Sequence, residues 1–413
     1  MSEIILSKDQ ADALDNIRGW YESEWNVHNG KQWLTLGGYA GTGKTTLLGQ
    51  LRQRLFPNLR IHYASYTGKA VSVLAQKLPR DSEVTTLHRL LYKPQPRTIC
   101  KVSEEPCLPG FRCEKHAPDP AKVPGLRPLS DKPGCETVKK LDWSTRMNPL
   151  QGIDLVVVDE ASMISDKIWT DLTRWGVPVL AVGDHGQLPP IKSEFSLMAN
   201  PDIKLEKILR QVEGSPIIRM STVARLYGEI PYRKFGDGCI KVRRREMSSY
   251  EMDPDNGDLL ICGYNRTRNE LNEQFRRLLD RKGPPCPGDI VICLRNSYEN
   301  GIFNGMRGRI KEFEVVSEEP GYERAFAVIE MLDEGFDFSG QISLGQFGLP
   351  KTDNSVPRNV ALFDYGYVMT CHKAQGSQAD RVMVIEERLP QTDHKRWLYT
   401  AVTRAAKELI VVG

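Results

Sequence analysis

The segment Gly38–Thr45, GYAGTGKT, constrains the fold of this chain more than any other. It follows the apolar run Trp33–Leu36 and precedes the helix-favouring Thr46–Leu48. It matches G-x-x-x-x-G-K-[ST], whose glycines let backbone N–H groups curl around phosphate oxygens while the next helix presents its positive end to them. The segment therefore predicts a strand–loop–helix unit of an α/β sheet that binds the phosphates of a nucleotide.

Two acidic residues end a second apolar run, Ile153–Val158. We expect Asp159 and the hydroxyl of Thr45 to hold Mg²⁺. Glu160 is suited to deprotonate the attacking water, while Lys44 contacts the β and γ phosphates. Adjacent carboxylates on a surface loop are usually only solvated, but the apolar run before them favours a catalytic role. Together the two motifs predict hydrolysis of a nucleoside triphosphate.

The 413 residues suggest two or three domains. Short apolar runs alternate with helical patterns in both halves, which predicts two α/β units that meet near residue 200. One of the helical patterns starts near Asn265 and places Leu271, Phe275, Leu278 and Leu279 on one face. Two segments break the alternation. Residues 93–149 contain 10 of the 26 prolines and predict an irregular insertion, whereas residues 284–347 predict a small β module.

Composition is that of an ordinary globular protein, with 56 Lys and Arg against 53 Asp and Glu, a net charge of +3. A near-neutral total leaves a nucleic-acid partner open, because phosphate binding depends on local Lys and Arg. No run approaches the roughly 20 apolar residues of a membrane span, and the first residues do not resemble a targeting segment. We expect a cytoplasmic monomer with no membrane partner.

A cluster of metal-ligating residue types lies in the proline-rich segment. It comprises Cys100, Cys107, Cys113, His116 and Cys135. The spacing matches structural zinc sites only in part, because a second Cys-x-x-Cys pair is missing. A zinc site formed by the last four of these residues, an iron–sulfur cluster and free thiols are the alternatives.

Three further motifs identify a family. The run Leu180–Val182 leads into Gly183–Pro190, where Gln187 can hydrogen-bond the γ-phosphate, although a surface loop is the plainer interpretation of this segment alone. Near the other end lie Val368–Gln378 and Trp397–Ala405. With these motifs in order, the sequence resembles the superfamily 1 (1B) DNA helicases, in particular the RecD-like and phage Dda-like branch.

The resemblance covers nearly the whole chain and assigns its segments to the family's motifs. In chain order these are Q (6–10), I (38–45), Ia (64–70), Ib (85–88), II (159–160), III (183–190), IV (205–218), V (370–378) and VI (399–404). The resemblance implies ATP and Mg²⁺ as cofactors, with ATP bound by Gln10, Gly41, Thr42, Gly43, Lys44, Thr45 and Thr46. It also implies that Arg210 and Arg404 reach the γ-phosphate from the second unit and stabilise the transition state.

The resemblance further implies contacts to single-stranded DNA from both units. The candidates are Tyr66, Thr67, Lys69, Thr86, His88, Thr370, His372 and Lys373. The family pattern has a proline where this chain has Tyr66, which is either a neutral surface change or an aromatic that stacks on a base. His88 and His372 have core packing as their alternative role.

The family architecture predicts two RecA-like domains, 1A (1–92 and 150–200) and 2A (201–283 and 348–413). Residues 93–149 correspond to insertion 1B, which carries the strand-separating pin, and residues 284–347 to the SH3-like insertion 2B. Phe111 and Trp143 are candidate wedge aromatics, with packing inside the insertion as the alternative. The basic run Lys241–Arg245 either touches phosphates or is a solvated face.

The predicted function is ATP-driven 5′ to 3′ translocation on single-stranded DNA and separation of forked duplexes, in the setting of DNA replication, repair or recombination. An RNA or DNA translocase, or a nucleic-acid-binding protein that ATP only switches, is the alternative. A P-loop kinase is a third class, but it gives no reason for motifs in a second α/β unit. Protein partners are not predicted.

Overall fold

A computed structural model describes the chain at residues 6–25, 30–66, 68–100, 137–189, 195–209, 214–295, 297, 300, 302, 304–317, 323–332, 336–353, 355–357, 359–390 and 393–413. Within these residues no helix is long and apolar enough to cross a bilayer.

The first half of the chain builds a six-stranded, wholly parallel sheet in the order β3-β2-β6-β7-β1-β8. Its strands, together with the ribbon β4–β5, are β1 (Trp33–Gly38), β2 (Ile61–Ser65), β3 (Glu83–Thr86), β4 (Tyr92–Cys100), β5 (Thr137–Thr145), β6 (Leu155–Asp159), β7 (Val179–Gly183) and β8 (Ile203–Leu205). Its helices are α1 (Lys8–Gly19), α2 (Lys44–Arg54), α3 (Gly68–Lys77), α4 (Leu87–Leu91) and α5 (Asp166–Thr173), with a π-helix at Trp20–Trp25 and a 3₁₀ turn at Ala161–Met163.

The second half builds another six-stranded sheet, in the order β17-β11-β18-β19-β10-β9, which is parallel except at β9–β10. A five-stranded antiparallel sheet, β15-β14-β13-β12-β16, is inserted in it. The strands are β9 (Lys234–Gly236), β10 (Cys239–Val242), β11 (Leu259–Cys262), β12 (Ile290–Cys293), β13 (Arg307–Ser317), β14 (Arg324–Met331), β15 (Phe336–Ser343), β16 (Phe363–Tyr365), β17 (Val368–Thr370), β18 (Ala379–Ile385) and β19 (Ala405–Val412). The helices are α6 (Pro216–Tyr227), α7 (Asn265–Leu278) and α8 (His394–Val402), with 3₁₀ turns at Arg244–Ser249 and Pro254–Asn256.

Each parallel sheet is covered on both faces. Two apolar clusters lie against the first sheet and two against the second, while a fifth fills the antiparallel module. Strands buried on both faces are apolar at every position rather than at alternate ones, as in Leu155–Val158, which is fully buried. The predicted α/β architecture with two parallel sheets is therefore confirmed.

The proline-rich segment is not irregular throughout, contrary to the prediction. Its ends pair as the antiparallel ribbon β4–β5, in register from Tyr92 opposite Thr145 to Cys100 opposite Thr137. Each strand of a two-stranded ribbon has one edge without a partner strand. Prolines such as Pro94 and Pro96 are tolerated in such edge strands, because no ladder bond needs an N–H on the free side. The predicted wedge residue Phe111 lies outside the described residues, as do the proposed zinc ligands Cys107, Cys113, His116 and Cys135.

The predicted apolar face of the helix after Asn265 is only half right. Leu271 and Phe275 pack on the core, but Leu278 is 74% exposed and Leu279 is 43% exposed. The buried positions of α7 are instead largely polar, namely Thr267, Arg268, Asn272 and Arg276. Each of the last three has a buried partner, Arg268 with Asp364, Asn272 with the backbone of Val368, and Arg276 with Asp289.

Candidate functional site

The loop between β1 and α2 has the backbone shape that phosphate binding requires. Gly41 and Gly43 adopt φ of 81° and 78°, a region that side chains rarely enter. The Lys44 ammonium donates to the carbonyl oxygens of Gly38 at 2.6 Å and Tyr39 at 3.1 Å, so it lies folded over the loop. The Thr42 hydroxyl also donates to the Tyr39 carbonyl, at 2.8 Å. The two carbonyl bonds hold the Lys44 ammonium over the loop, where phosphate oxygens would take the place of the carbonyl oxygens as its acceptors.

Gln10 supports this loop from α1. It is 2% exposed, and its amide donates to the carbonyl oxygens of Thr42 at 3.4 Å and Gly43 at 3.3 Å. Its Oε1 accepts from the backbone N–H of Ser7, which caps the helix. Both ends of the side chain are therefore used within the protein, and the adenine contact that the family resemblance implies for Gln10 stays a prediction.

The two predicted catalytic carboxylates lie at the end of β6, two strands from the phosphate loop. Glu160 has φ of 54°, and its N–H donates to the Asp159 carboxylate at 2.9 Å. Burial, followed by the charge of Glu160, raises the pKa of Asp159 to about 6. The raised pKa of Asp159 beside a second carboxylate favours a cation between these two groups and the phosphates.

The residues present fit Mg²⁺. The Asp159 carboxylate and the Thr45 hydroxyl offer oxygen ligands, and Mg²⁺ commonly takes one or two protein oxygens together with phosphates and waters. Among the described residues no cluster of three or more His, Cys, Asp or Glu side chains that could hold a metal ion exists.

The loop after β7 holds a buried carboxylate, Asp184, which is 1% exposed. It accepts from the N–H of Gly186 at 2.9 Å and from the Gln187 amide at 3.4 Å. The Oε1 of Gln187 is buried and has no partner among the described residues. As placed, this free atom accepts hydrogen bonds, so it suits a water molecule better than a phosphate oxygen.

Residues of the second half complete this loop. The Tyr399 hydroxyl accepts from the N–H of Ala40 and donates to the Asp184 carboxylate, both at 2.8 Å. Leu188 donates its N–H to the Thr400 hydroxyl at 3.0 Å, and its carbonyl accepts from the Gln375 amide at 3.2 Å. We call the contacts of Ala40, Asp184 and Leu188 with Tyr399, Thr400 and Gln375 the interdomain seam. These residues lie in or beside motifs I, III, V and VI, but the motifs predict no partner for any of them.

The two predicted arginine fingers have different outcomes. Arg404 is 6% exposed and is bonded within the second half, to the carbonyls of Thr400 and Ser377 and to the hydroxyl of Thr403. In this conformation it does not contact the phosphate loop. Arg210 lies outside the described residues, although the N–H of Leu209 bonds to the carbonyl of Gly41 at 3.1 Å.

The first-half candidates for DNA contact surround the end of β3. Tyr66 packs edge-on against His88, with ring centroids 6.0 Å apart, and burial lowers the pKa of His88. The Thr86 hydroxyl caps α4 by accepting from the N–H of Arg89, so its role is at least partly structural. Thr67 and the side chain of Lys69 lie outside the described part of the chain.

The second-half candidates follow β17, the edge strand of its sheet. Thr370 is 8% exposed, and burial lowers the pKa of His372. Burial, followed by the charge of Arg268, lowers the pKa of Lys373 to about 8. The first-half and second-half sets thus both lie at the carboxyl end of an edge strand, β3 and β17.

Comparisons with known proteins agree with this geometry. The family model of the AAA domain matches residues 6–226, more than half of the chain, and that of the UvrD-like helicase C-terminal domain matches residues 365–412. The ATP-dependent RecD2 DNA helicase of Deinococcus radiodurans is 26% identical over 99% of this chain and 49% of its own length. The RecBCD enzyme subunit RecD of Mycobacterium tuberculosis is 25% identical over 92% of this chain and 66% of its own.

Solved structures show the same fold. Bacteroides Pif1 bound to single-stranded DNA superposes with a TM-score of 0.54 at 18% identity, over 99% of this chain and 92% of that one. The chain spans about half the length of RecD2. From these matches, the chain belongs to the AAA domain family; its sequence is similar to RecD helicases, and its fold is similar to that of Pif1.

Proposed function

We propose that this chain is an ATP-hydrolysing DNA helicase that moves 5′ to 3′ on single-stranded DNA and separates duplex strands at a fork. The observation that carries the proposal is the interdomain seam, where Tyr399 of the second half bonds both to Ala40 of the phosphate loop and to Asp184. An ATP site that two units share lets nucleotide binding and loss change their relative position, which is what a motor requires.

The chemistry follows from the residues around the loop. Backbone N–H groups from Gly41 to Thr46 and the Lys44 ammonium bind the phosphates. Mg²⁺, held by Thr45 and Asp159, would neutralise charge on the phosphate oxygens. Glu160 would take the proton of the attacking water, with the free Oε1 of Gln187 accepting from the same water.

Arg404 and Arg210 would stabilise the transition state from the second half. In this conformation the Arg404 guanidinium donates hydrogen bonds to Thr400, Ser377 and Thr403. To reach the phosphate, it must exchange these acceptors for phosphate oxygens. Closure on ATP supplies a stronger acceptor, because a hydrogen bond from a guanidinium to a phosphate is charge-assisted. Arg404 is thereby kept from the phosphate until nucleotide is bound.

Single-stranded DNA would lie across the carboxyl ends of β3 and β17. Thr67, Lys69, Thr86 and His88 would contact it from the first half, and Thr370, His372 and Lys373 from the second, chiefly through phosphates. In this proposal residues 93–149 form the 1B insertion with its pin on the ribbon β4–β5. Residues 284–347 form the 2B insertion, and the remainder forms domains 1A and 2A with the boundaries given above.

The test is unwinding of duplexes that carry a 5′ tail, a 3′ tail or no tail, made of DNA or of RNA, with ATP turnover measured in the same samples. We expect single-stranded DNA to stimulate turnover strongly and only the 5′-tailed DNA duplex to separate. Lys44→Ala is the control, because it removes the phosphate contact and should abolish both activities. Turnover indifferent to nucleic acid contradicts a motor, and unwinding from the 3′ tail contradicts the polarity.

A further inference from the structure

We infer that Tyr399 is a positioning residue for ATP hydrolysis, whose hydroxyl keeps the phosphate loop in its active shape only while the two halves of the chain are together. The inference rests on the proposed function and extends it to a side chain that touches neither nucleotide nor DNA in that proposal.

Both hydrogen bonds of the Tyr399 hydroxyl are to groups of the first half. It accepts from the N–H of Ala40, inside the phosphate loop, and donates to Asp184 Oδ2. The side chain is 1% exposed, and burial raises the pKa of its phenol well above the ordinary value. The hydroxyl is therefore protonated at neutral pH and serves as donor and acceptor at once.

Asp184 depends on this donor. Among the described residues no cation lies within ion-pair distance of its carboxylate, and its other donors are the N–H of Gly186 and the more distant Gln187 amide. A buried carboxylate without enough donors is costly, so the loop after β7 keeps its conformation only while Tyr399 is present. One hydroxyl thus fixes two loops that flank the phosphates.

Ring packing holds the hydroxyl in place. The ring of Tyr39 lies edge-on to Tyr399 at 6.2 Å, packs against His185 at 4.1 Å, and is covered by the Arg225 guanidinium at 3.7 Å. A Cβ on Gly186 would approach the Tyr399 ring to 2.9 Å, so the loop passes as close to the ring as glycine allows. The Ala40 peptide is therefore enclosed by groups from both halves.

The position of Tyr399 on α8 makes this contact sensitive to domain movement. Its neighbour Thr400 accepts from the N–H of Leu188, and Trp397, Leu398 and Ala401 anchor the helix in the core of the second half. Any separation of the halves breaks the Ala40, Asp184 and Leu188 contacts together. The phosphate loop is then free to relax, which lowers the turnover rate more than the affinity for ATP, because transition-state interactions require the tighter geometry.

Tyr399→Phe tests the inference, because it removes the hydroxyl and retains the ring. Tyr367→Phe is a matched control, since Tyr367 is also buried and donates to a buried carboxylate, Asp289 Oδ1 at 2.7 Å, but within the second half. We expect Tyr399→Phe to lower kcat with saturating DNA by roughly 5- to 100-fold, the range for a buried polar group left without its hydrogen-bond partner, with KM for ATP changed less than about 3-fold. Tyr367→Phe should lower the unfolding temperature and leave kcat within about 2-fold.

A double-mutant cycle separates a shared bond from general damage. If Tyr399 acts through Asp184, Asp184→Asn and Tyr399→Phe combined should be no slower than the worse single variant. Fully additive losses, an unchanged kcat in Tyr399→Phe, or an equal fall of kcat in Tyr367→Phe would each overturn the inference. Failure of the proposed function has a different signature, because the wild-type protein itself would then show no stimulation by DNA.

Discussion

The two halves of the chain differ in whether their charged side chains with little exposure have ion-pair partners. In the second half, three buried cations are paired with carboxylates at short distance, namely Lys241–Glu386 at 2.6 Å, Arg268–Asp364 at 2.8 Å and Arg276–Asp289 at 3.1 Å. In the first half, Asp159 and Asp184 have no ion-pair partner among the described residues and accept only from neutral donors. Lys373 is the counterpart in the second half, a partly buried cation with no carboxylate in ion-pair distance in the described part of the chain.

The difference separates structural charges from charges that await a ligand. A buried pair satisfies its own charges, so its removal costs stability. An unpaired buried charge is costly in the folded protein and persists where a ligand of opposite sign arrives during function. On this basis we propose that Asp159 is paired by a metal ion and Lys373 by a DNA phosphate, whereas Asp184 already has its donor in Tyr399.

The largest expected effect is on turnover, from Glu160→Gln. Loss of the general base should lower kcat by about 10²- to 10⁴-fold, while ATP and DNA still bind and the unfolding temperature does not fall. Glu386→Gln is the control from the paired set, because it deprives Lys241 of its partner. That variant should lose stability and retain turnover per folded molecule. Rapid hydrolysis by Glu160→Gln would contradict its role, and retained unwinding would contradict the motor.

Breaking a buried pair should give the largest loss of stability. Arg268→Leu leaves the carboxylate of Asp364 buried without its partner, which we expect to cost about 3 to 5 kcal/mol. Arg266→Gln is the matched control on the same helix, because its pair with Glu270 is exposed to solvent and should contribute little to stability. Urea unfolding of the full chain measures the free energy of unfolding of both variants. Similar losses in the two variants would remove the distinction between buried and exposed pairs.

Asp159→Asn should stabilise the nucleotide-free protein above pH 6. Because the folded pKa of Asp159 is raised to about 6, its contribution to stability is present below the unfolded pKa and is lost as pH rises through 6. The variant should gain on the order of 1 to 3 kcal/mol at pH 8 and little at pH 4. Thermal unfolding with and without Mg²⁺-ATP measures this, and ligand should stabilise the wild type alone.

Asp202→Asn is the paired control in the same sheet. Although burial opposes it, hydrogen bonds from Lys31 and Thr35 lower the pKa of Asp202. Its contribution is therefore present above the unfolded pKa and lost as pH falls, so the substitution should destabilise at pH 8. If both variants changed stability in the same direction, pairing would not distinguish the two carboxylates.

The features that could be predicted from the sequence are those formed by residues close together in the chain. Apolar runs identified parallel strands such as β1, β6 and β7, and the GYAGTGKT segment located the phosphate loop, because each depends on neighbouring residues. The polar face of α7 was missed, since Arg268, Asn272 and Arg276 are buried only because distant partners satisfy them. The Tyr399 bridge was missed for the same reason, because no spacing rule links a helix near residue 400 to a loop near residue 40.

The smallest expected effect concerns Lys373, whose pKa of about 8 makes its charge depend on pH near neutrality. As pH rises from 7 to 9 the ammonium loses its proton, so affinity for single-stranded DNA without nucleotide should weaken about 3- to 10-fold, and the salt dependence should fall by about one phosphate contact. Lys373→Arg stays charged over this range and should lose the pH dependence. Lys407→Arg is the control, because Lys407 is exposed and paired with Asp380, and it should titrate DNA like the wild type. Identical pH profiles for the wild type and Lys373→Arg would mean that this unpaired charge does not await a phosphate.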